Sequence, residues 1–523
     1  MAQFSSIFND VFGPVMRGPS SSHVAGAARI GLLSRQLFDR NIKKVITEFD
    51  KKGSLATTYD GHGSDIGLVG GILGLNPDDK RLPESLKIAK QQGIEIRFEI
   101  KDYEADHPNT YKLTIYDSKN KHINITALST GGGMVELISV NDFEVSIKGD
   151  YFETLIFLKI NSESHFENIF ENIKQEIKEY EFTNFNKQNN IYLINVKTFE
   201  KLNTDIIDEI KSISEVYDIK RTDPVLPVKS RKKIKIPFSS SKQMIEMSKK
   251  KDLKLWELAT LYESVRGDMP ERTVYEKMDE IIDVMQNAIK NGIDGTEYKD
   301  RILGPQAWMV KEANDNDKLI PTTILNNVIT YTMAVMEVKS SMGLIVAAPT
   351  AGSCGVIPGT IIGVYDSLNL KKDRLIKAML SSAIIGILIS ENATFAGEEA
   401  GCQAECGSAS SMAAAGLVQL MDGTVEQCIK ASSIALQNIL GLICDPVANR
   451  VEVPCLGRNI MASVNAIASA NMALAGVDEV IPLEEVIETM YNVGNMLPSE
   501  ICCTGLGGLS VTRTAKNIER NLK

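Results

Sequence analysis

Residues 400–416, AGCQAECGSASSMAAAG, contain no aromatic or β-branched side chain. A segment this small in cross-section lets a neighbouring backbone or a cofactor come close. If it is helical, Cys402 and Cys406 are four positions apart and share one face, where a metal or a redox partner could meet both. The same composition also suits a tightly packed Ala/Gly/Ser helix, in which a buried cysteine is simply a small hydrophobe.

Downstream, residues 441–455 read GLICDPVANRVEVPC, with Cys444 before Asp445-Pro446 and Cys455 directly after Pro454. Proline fixes the backbone beside both thiols. A rigid turn aims a thiolate at one point, as the ligands of a metal or cluster require. The separations of 42 and 11 positions among Cys402, Cys444 and Cys455 match neither a zinc finger nor a ferredoxin pattern. Spacing alone therefore does not name the metal.

A chain of 523 residues has room for two to four domains. Its formal charge of −10 argues against a nucleic-acid partner, whose phosphates call for a basic surface. The basic run at residues 229–235 is too short to reverse that. Eight cysteines in so long a chain do not read as a secreted disulfide framework, so a reducing cytoplasmic setting is expected. The first residues, MAQFSSIFNDVFGPVMRG, lack the basic start and apolar core of a secretory signal. The most apolar run, residues 375–390, carries Lys377 and falls short of the roughly 20 residues of a membrane span, so no membrane partner is expected.

Taken in order, the chain divides by composition. Residues 1–148 mix strand-like alternation at 43–49, 94–100 and 112–116 with helical patterns at 22–38 and 64–73, an α+β domain. Residues 149–225 read strand, helix, strand, strand, helix, strand, the βαββαβ series of a ferredoxin-like module. Pro224, Pro227 and Pro237 with a Lys/Arg cluster mark an exposed linker, with 226–238 as its centre. Helical patterns dominate residues 239–523. The expected fold class is thus multidomain: an α+β N-terminal domain, a βαββαβ insertion and a mainly α-helical C-terminal domain.

Two polar segments stand out in the first domain. In PSSSH, residues 19–23, the hydroxyls of Ser20, Ser21 and Ser22 and the imidazole of His23 precede an Ala-rich helix, whose free N–H groups favour a carboxylate. An ordinary serine N-cap accounts for the same pattern. In DGHGSDIG, residues 60–67, the glycines miss the G-x-G-x-x-G spacing by one residue, which rejects a dinucleotide site. His62 lies sterically open between two glycines, next to Ser64 and Asp65, a grouping able to orient or exchange a proton.

Long, nearly ungapped stretches carry a resemblance: GCQAECGSASSMAAAG, CDPVANRVEVPC, and APTAGSCGVIPG at 348–359 resemble the iron–sulfur L-serine dehydratases, and GPSSSHVAGAARIG at 18–31 resembles that family's β portion. The likeness covers about residues 5–148 and 238–510. It implies a single chain with fused β and α portions that converts L-serine to pyruvate and ammonia through an enamine and an imine. It implies a [4Fe–4S] cluster on Cys402, Cys444 and Cys455, with one iron open as a Lewis acid, and no pyridoxal phosphate. Ser20, Ser21, Ser22 and Lys311 then become substrate-contact candidates, and His23, His62, Ser64 and Asp65 catalytic ones. The Cα base is left open among His62, His23, a serine alkoxide and water, with the two histidines favoured.

Residues 149–225 resemble an ACT domain, which implies an amino-acid effector or a dimerisation module, and the family implies a homodimer. Cys354, Cys406 and Cys428 fall outside the cluster set and are expected to pack. LPSEICCTGLGG, residues 497–508, departs from the Arg-Glu pair of many relatives, which leaves substrate contacts there open. The chain ends Asn521-Leu522-Lys523, so a terminal thiol capping the open iron is not expected. Threonine or cysteine as substrate, a non-catalytic amino-acid sensor and a zinc hydrolase are the competing readings. An open-iron cluster also implies sensitivity to oxygen.

Overall fold

The computed structural model describes residues 4–522. Its first strand, β1 (Val15–Arg17), is followed by a six-stranded sheet: β2 (Ile42–Asp50), β3 (Glu95–Lys101), β4 (Thr110–Asp117), β5 (His122–Gly131), β6 (Met134–Val140) and β7 (Phe143–Ile147), ordered β3-β2-β4-β5-β6-β7. Only β2 and β3 run parallel. Alternation explains the layer: Val45 and Phe49 of β2 and Leu113 and Ile115 of β4 turn one way, onto helices Gly26–Leu37 and Ser64–Ile72. Those helices cross at glycines. A Cβ on Gly71 would collide with the Ala28 carbonyl oxygen and lie 2.7 Å from the Leu32 nitrogen, and one on Gly31 would lie 2.8 Å from the Ile72 nitrogen.

The insertion follows as β8 (Phe152–Lys159), helix Glu163–Ile177, β9 (Phe182–Gln188), β10 (Ile191–Thr198), helix Thr204–Lys211 and β11 (Val216–Thr222). Its sheet is antiparallel, in the order β11-β8-β10-β9. The elements keep the expected sequence, with limits shifted by one to three residues. Both faces of β8 are buried, which is why its run TLIFL lacks a polar alternate. Ile156 and Leu158 meet Phe166, Ile169 and Ile173 of the first helix, whereas Leu155 and Phe157 join the core of the six-stranded sheet.

The connector does not run exposed as its prolines and charges suggest. Leu226, Val228, Ser230 and Phe238 are buried. Asn9 donates to the Val228 carbonyl at 2.7 Å and accepts from its N–H at 3.0 Å, and Arg266 donates to the Lys229 carbonyl at 3.1 Å. The apolar residues between the charges decide the path.

The C-terminal portion is helical around a central helix, Lys372–Asn392, which packs with Ser408–Leu420. This central helix is the one described helix long and apolar enough to cross a membrane, and 78% of its most apolar window is buried within the chain itself. The N-terminus belongs to this core. Ile7, Phe8 and Val11 pack among its helices, and β1 pairs antiparallel with β12 (Leu344–Val346), Met16 opposite Ile345. Residues 7–17 thereby hold the α+β portion against the helical one. At the tightest crossing, Gly71→Ala is expected to destabilise the protein by about 1–3 kcal/mol or more, read as a lower urea midpoint at unchanged slope.

Candidate active site

Three loops of the helical portion bring their cysteines together. Cys402 follows Gly401, whose φ of 73° brings the backbone beside Leu442; a Cβ there would lie 2.7 Å from the Leu442 carbonyl oxygen. After Cys402 the chain makes one wide π-turn, Gln403–Gly407. Cys444 donates its N–H to the Ile501 carbonyl and accepts from Cys503 N–H, both at 2.8 Å. Cys455 opens helix Cys455–Leu474 immediately after Pro454. One turn on, Arg458 donates to Asp445 Oδ1 at 2.7 Å and to the Ile443 carbonyl at 2.8 Å, and its guanidinium lies 3.6 Å from Cys402 Sγ. The cation ties the three loops into one frame.

All these thiols are free and buried. Ligand atoms of Cys402, Glu405 and Cys444 lie within 4.8 Å of one another, and Cys402, Cys444 and Cys503 form a small cluster of their own. Cys455 lines the same cavity as Cys444 and Cys503. Burial, with the neighbouring Cys402 charge, pushes the Cys455 thiol up to about 12. Without a cation the group keeps its protons; soft, buried, unpaired sulfurs around one space suit a thiophilic metal or cluster, which would displace those protons. Cys406 does not share this role. It sits in the main core, where Asn459 donates to its sulfur at 3.7 Å. Cys354 and Cys428 are core residues as well.

Across the cavity lie residues of the first portion. Its walls are Pro19, Ser20, His62, Gly352, Gly397, Glu398, Glu405, Pro446 and Val451, with Cys444, Cys455 and Cys503. His23 stands behind them, fully buried, its ring edge-on to His62 with centroids 4.6 Å apart. Hydrogen bonds fix its tautomer. Thr58 Oγ1 donates to the Ser54 carbonyl at 2.7 Å, so at 2.9 Å from His23 Nε2 it must accept. The proton is therefore on Nε2, and Nδ1 is the acceptor, 3.0 Å from Ser20 Oγ and 3.4 Å from Glu398 Oε1. Burial lowers the His23 pKa to about 3, and burial with the nearby His23, Arg450 and Lys339 charges holds His62 well below the usual histidine range. Both ring nitrogens of His62 are buried without a hydrogen-bond partner. A side chain 1% exposed, facing a cavity with two unmet polar atoms, is poised for a ligand.

The remaining candidates divide. The Ser22 hydroxyl meets Glu398, and Ser21 Oγ accepts the Ala351 N–H at 3.2 Å, seaming the two portions together. Ser64 Oγ accepts from Tyr111 at 3.0 Å and supports the glycine turn from behind. Asp65 does not line the cavity; burial pushes its carboxyl up to about 7. Lys311 lies on helix Ala307–Asp315, half exposed and paired with Asp315 at 2.6 Å, outside the cavity lining.

Glu398, Glu405, Thr58 and Cys503 also belong to the site, and the first three carry no local sequence signal. Glu405 accepts from Thr350 at 2.7 Å and lies 3.9 Å from Cys402 Sγ; burial, reinforced by the Glu398 charge, pushes it up to about 7. Burial also raises Glu398. For Cys503 a signal did exist, a Cys-Cys pair in a Gly-rich turn. Its φ of 60° and its N–H bond to the Cys444 carbonyl are properties of the folded loop.

The depressed His23 pKa has a definite sign in stability. The unfolded chain binds a proton near pH 6.5 that the folded imidazole refuses until about pH 3. The neutral ring's contribution is thus complete above pH 6.5 and is lost as pH falls, by up to about 1.4 kcal/mol per pH unit. The stability gap between wild type and His23→Gln, from urea unfolding, is expected to shrink between pH 7 and pH 5. A gap independent of pH contradicts the assignment.

Comparison with known proteins shows the family. The serine dehydratase alpha chain family matches residues 250–510. The L-serine dehydratase alpha chain of Peptoniphilus asaccharolyticus is 40% identical over 287 residues, 54% of this chain and 98% of that protein. The probable L-serine dehydratase beta chain of Bacillus subtilis (strain 168) is 44% identical over 154 residues, 29% of this chain and 68% of its own length. L-serine dehydratase 2 of Escherichia coli (strain K12) is 27% identical over 509 residues, 94% of this chain and 96% of that one. With beta-like and alpha-like portions joined in a single polypeptide, the chain belongs to the L-serine dehydratase family.

Proposed function

We propose that the chain eliminates water from L-serine and releases pyruvate and ammonia. The observation that carries this reading is the convergence of Cys444, Cys455 and His62 on one buried cavity built from both portions, with the Cys402 sulfur within 4.8 Å of that of Cys444. A [4Fe–4S] cluster held by these three cysteines would supply a Lewis acid for the departing hydroxyl, through the iron that lacks a protein thiolate. The donor set fits such a group: buried, free thiols with Arg458 beside them to offset the negative charge of a thiolate-bound cluster. Cys503 adds a further thiol to the same wall.

The chain's own residues supply the rest. His62 is neutral, enclosed and open at both ring nitrogens, the form that accepts the Cα proton. His23 orients it, held edge-on by the path from Nε2–H through Thr58 to the Ser54 carbonyl. Ser20 contributes a hydroxyl at the cavity wall. Enclosure by Gly352, Gly397 and Val451 limits water around the reacting carbon.

The βαββαβ insertion fits an ACT-like regulatory module, and we extend the proposal to an amino-acid effector bound there in a homodimer. Sheet order β11-β8-β10-β9 and the helix layer on one face support this reading. Titrating amino acids into the intact chain should then give a binding event besides that at the active site.

Substitution separates the roles. Cys402→Ser, Cys444→Ser and Cys455→Ser are each expected to lose iron together with pyruvate formation. His62→Ala is expected to keep its iron and lose roughly 10²- to 10⁴-fold in kcat, the range for a proton-transfer group. A His62→Ala protein of wild-type activity, or cysteine variants that keep full iron, would overturn these assignments.

A further inference from the structure

Two carboxylates reach the cavity, Glu398 and Glu405. They differ in what already holds them. Glu405 is committed on the cysteine side: Oε1 accepts from Thr350 at 2.7 Å and Oε2 faces Cys402 Sγ at 3.9 Å. Glu398 is placed on short helix Gly397–Ala400, its side chain 7% exposed, with the Ser22 hydroxyl on one side. Its Oε1 is 3.4 Å from His23 Nδ1, yet that nitrogen carries no proton, because the Thr58 hydrogen bond puts the proton on Nε2. No fixed cation meets it there. His107, whose charge also reaches it, is engaged by Glu399 at 3.3 Å.

A carboxyl enclosed without a cation is held neutral, and it takes up its charge when something positive arrives beside it. The partnerless ring nitrogens of His62 on the same wall independently mark the space as one a ligand completes. An α-amino acid carries its cation on the carbon that loses the proton, so an ammonium held by Glu398 would present Cα toward His62. We propose that Glu398 binds the α-ammonium group of the amino-acid substrate. The inference rests on the serine dehydratase reading and deepens it: Glu398 is what makes the site select an amino acid over the corresponding hydroxy acid.

The test uses the intact, anaerobically prepared, iron-loaded chain, with L-serine as substrate and 3-hydroxypropanoate, which lacks only the ammonium group, as competing ligand. Glu398→Gln is expected to raise KM for L-serine about 10- to 100-fold, the scale of a lost charge-assisted hydrogen bond, with the loss falling on KM rather than kcat. Inhibition by 3-hydroxypropanoate should stay within about threefold of wild type, since its carboxylate and hydroxyl contacts are untouched. Glu398→Asp, which keeps the charge, should give an intermediate KM and supplies the answer if the Gln variant does not fold. An unchanged KM, a fall in kcat alone, or equal weakening of both ligands overturns the proposal. Absence of pyruvate formation by the wild-type protein would instead overturn the dehydratase reading, and this inference with it.

Discussion

The site depends on the burial of residues 7–16 among the helices of the C-terminal portion. Ile7, Phe8, Val11 and Met16 are apolar side chains that only the helical portion can cover, and β1 closes the contact by pairing with β12. Burial of this kind stabilises by about 1.5–3 kcal/mol for each large side chain. It has a positional consequence. The serines and His23 follow directly on β1, so whatever anchors that strand also carries them to the cysteine loops. A second seam runs from Ser54 and Thr57, which donate to the Cys503 and Thr504 carbonyls at 3.4 and 3.1 Å, so the helix that orients His23 also holds the loop bearing Cys503.

The chemistry of the cavity follows from enclosure. Removing water raises the cost of every charge, so the thiols and the carboxyls of Glu398 and Glu405 are pushed up while both histidines are pushed down. Groups that are neutral when alone become partners once a cation enters. A metal group at the sulfurs and an ammonium at Glu398 would each supply the charge that its side of the cavity lacks. The arrangement therefore joins ligand binding to ionisation, and it puts the neutral imidazole of His62 on the cavity wall, the group proposed to accept the proton.

Much of this could be read in the sequence. Periodicity marked residues 239–523 as mainly helical, because the apolar faces pack on one core and the helices are bounded by glycines, prolines and caps such as Thr424. The βαββαβ order was legible for the same reason, helped by the apolar runs of β8 and β10, whose two faces are both covered. Prolines beside Cys444 and Cys455 pointed to aimed thiols. What could not be read depends on contacts between distant segments. Glu398 looks like any surface acid until helix Gly397–Ala400 meets His23, 375 positions earlier. The wide π-turn at Gln403–Gly407, where a regular helix was one reading, was not legible either, whereas Cys406 was expected to pack and lies outside the cavity lining. The connector seemed solvated because of its prolines and its Lys/Arg cluster, yet Leu226, Val228 and Phe238 set its path.

The central claim is that one cavity, shared by both portions, holds a cluster on three cysteines and dehydrates serine beside it. Its most direct measurement is iron and acid-labile sulfide per chain in an anaerobic preparation, with pyruvate release from L-serine followed in the same sample before and after aeration. The account predicts about four irons and four sulfides with pyruvate formation, both declining together in air. Pyruvate formation that persists at full rate in protein without iron would contradict it.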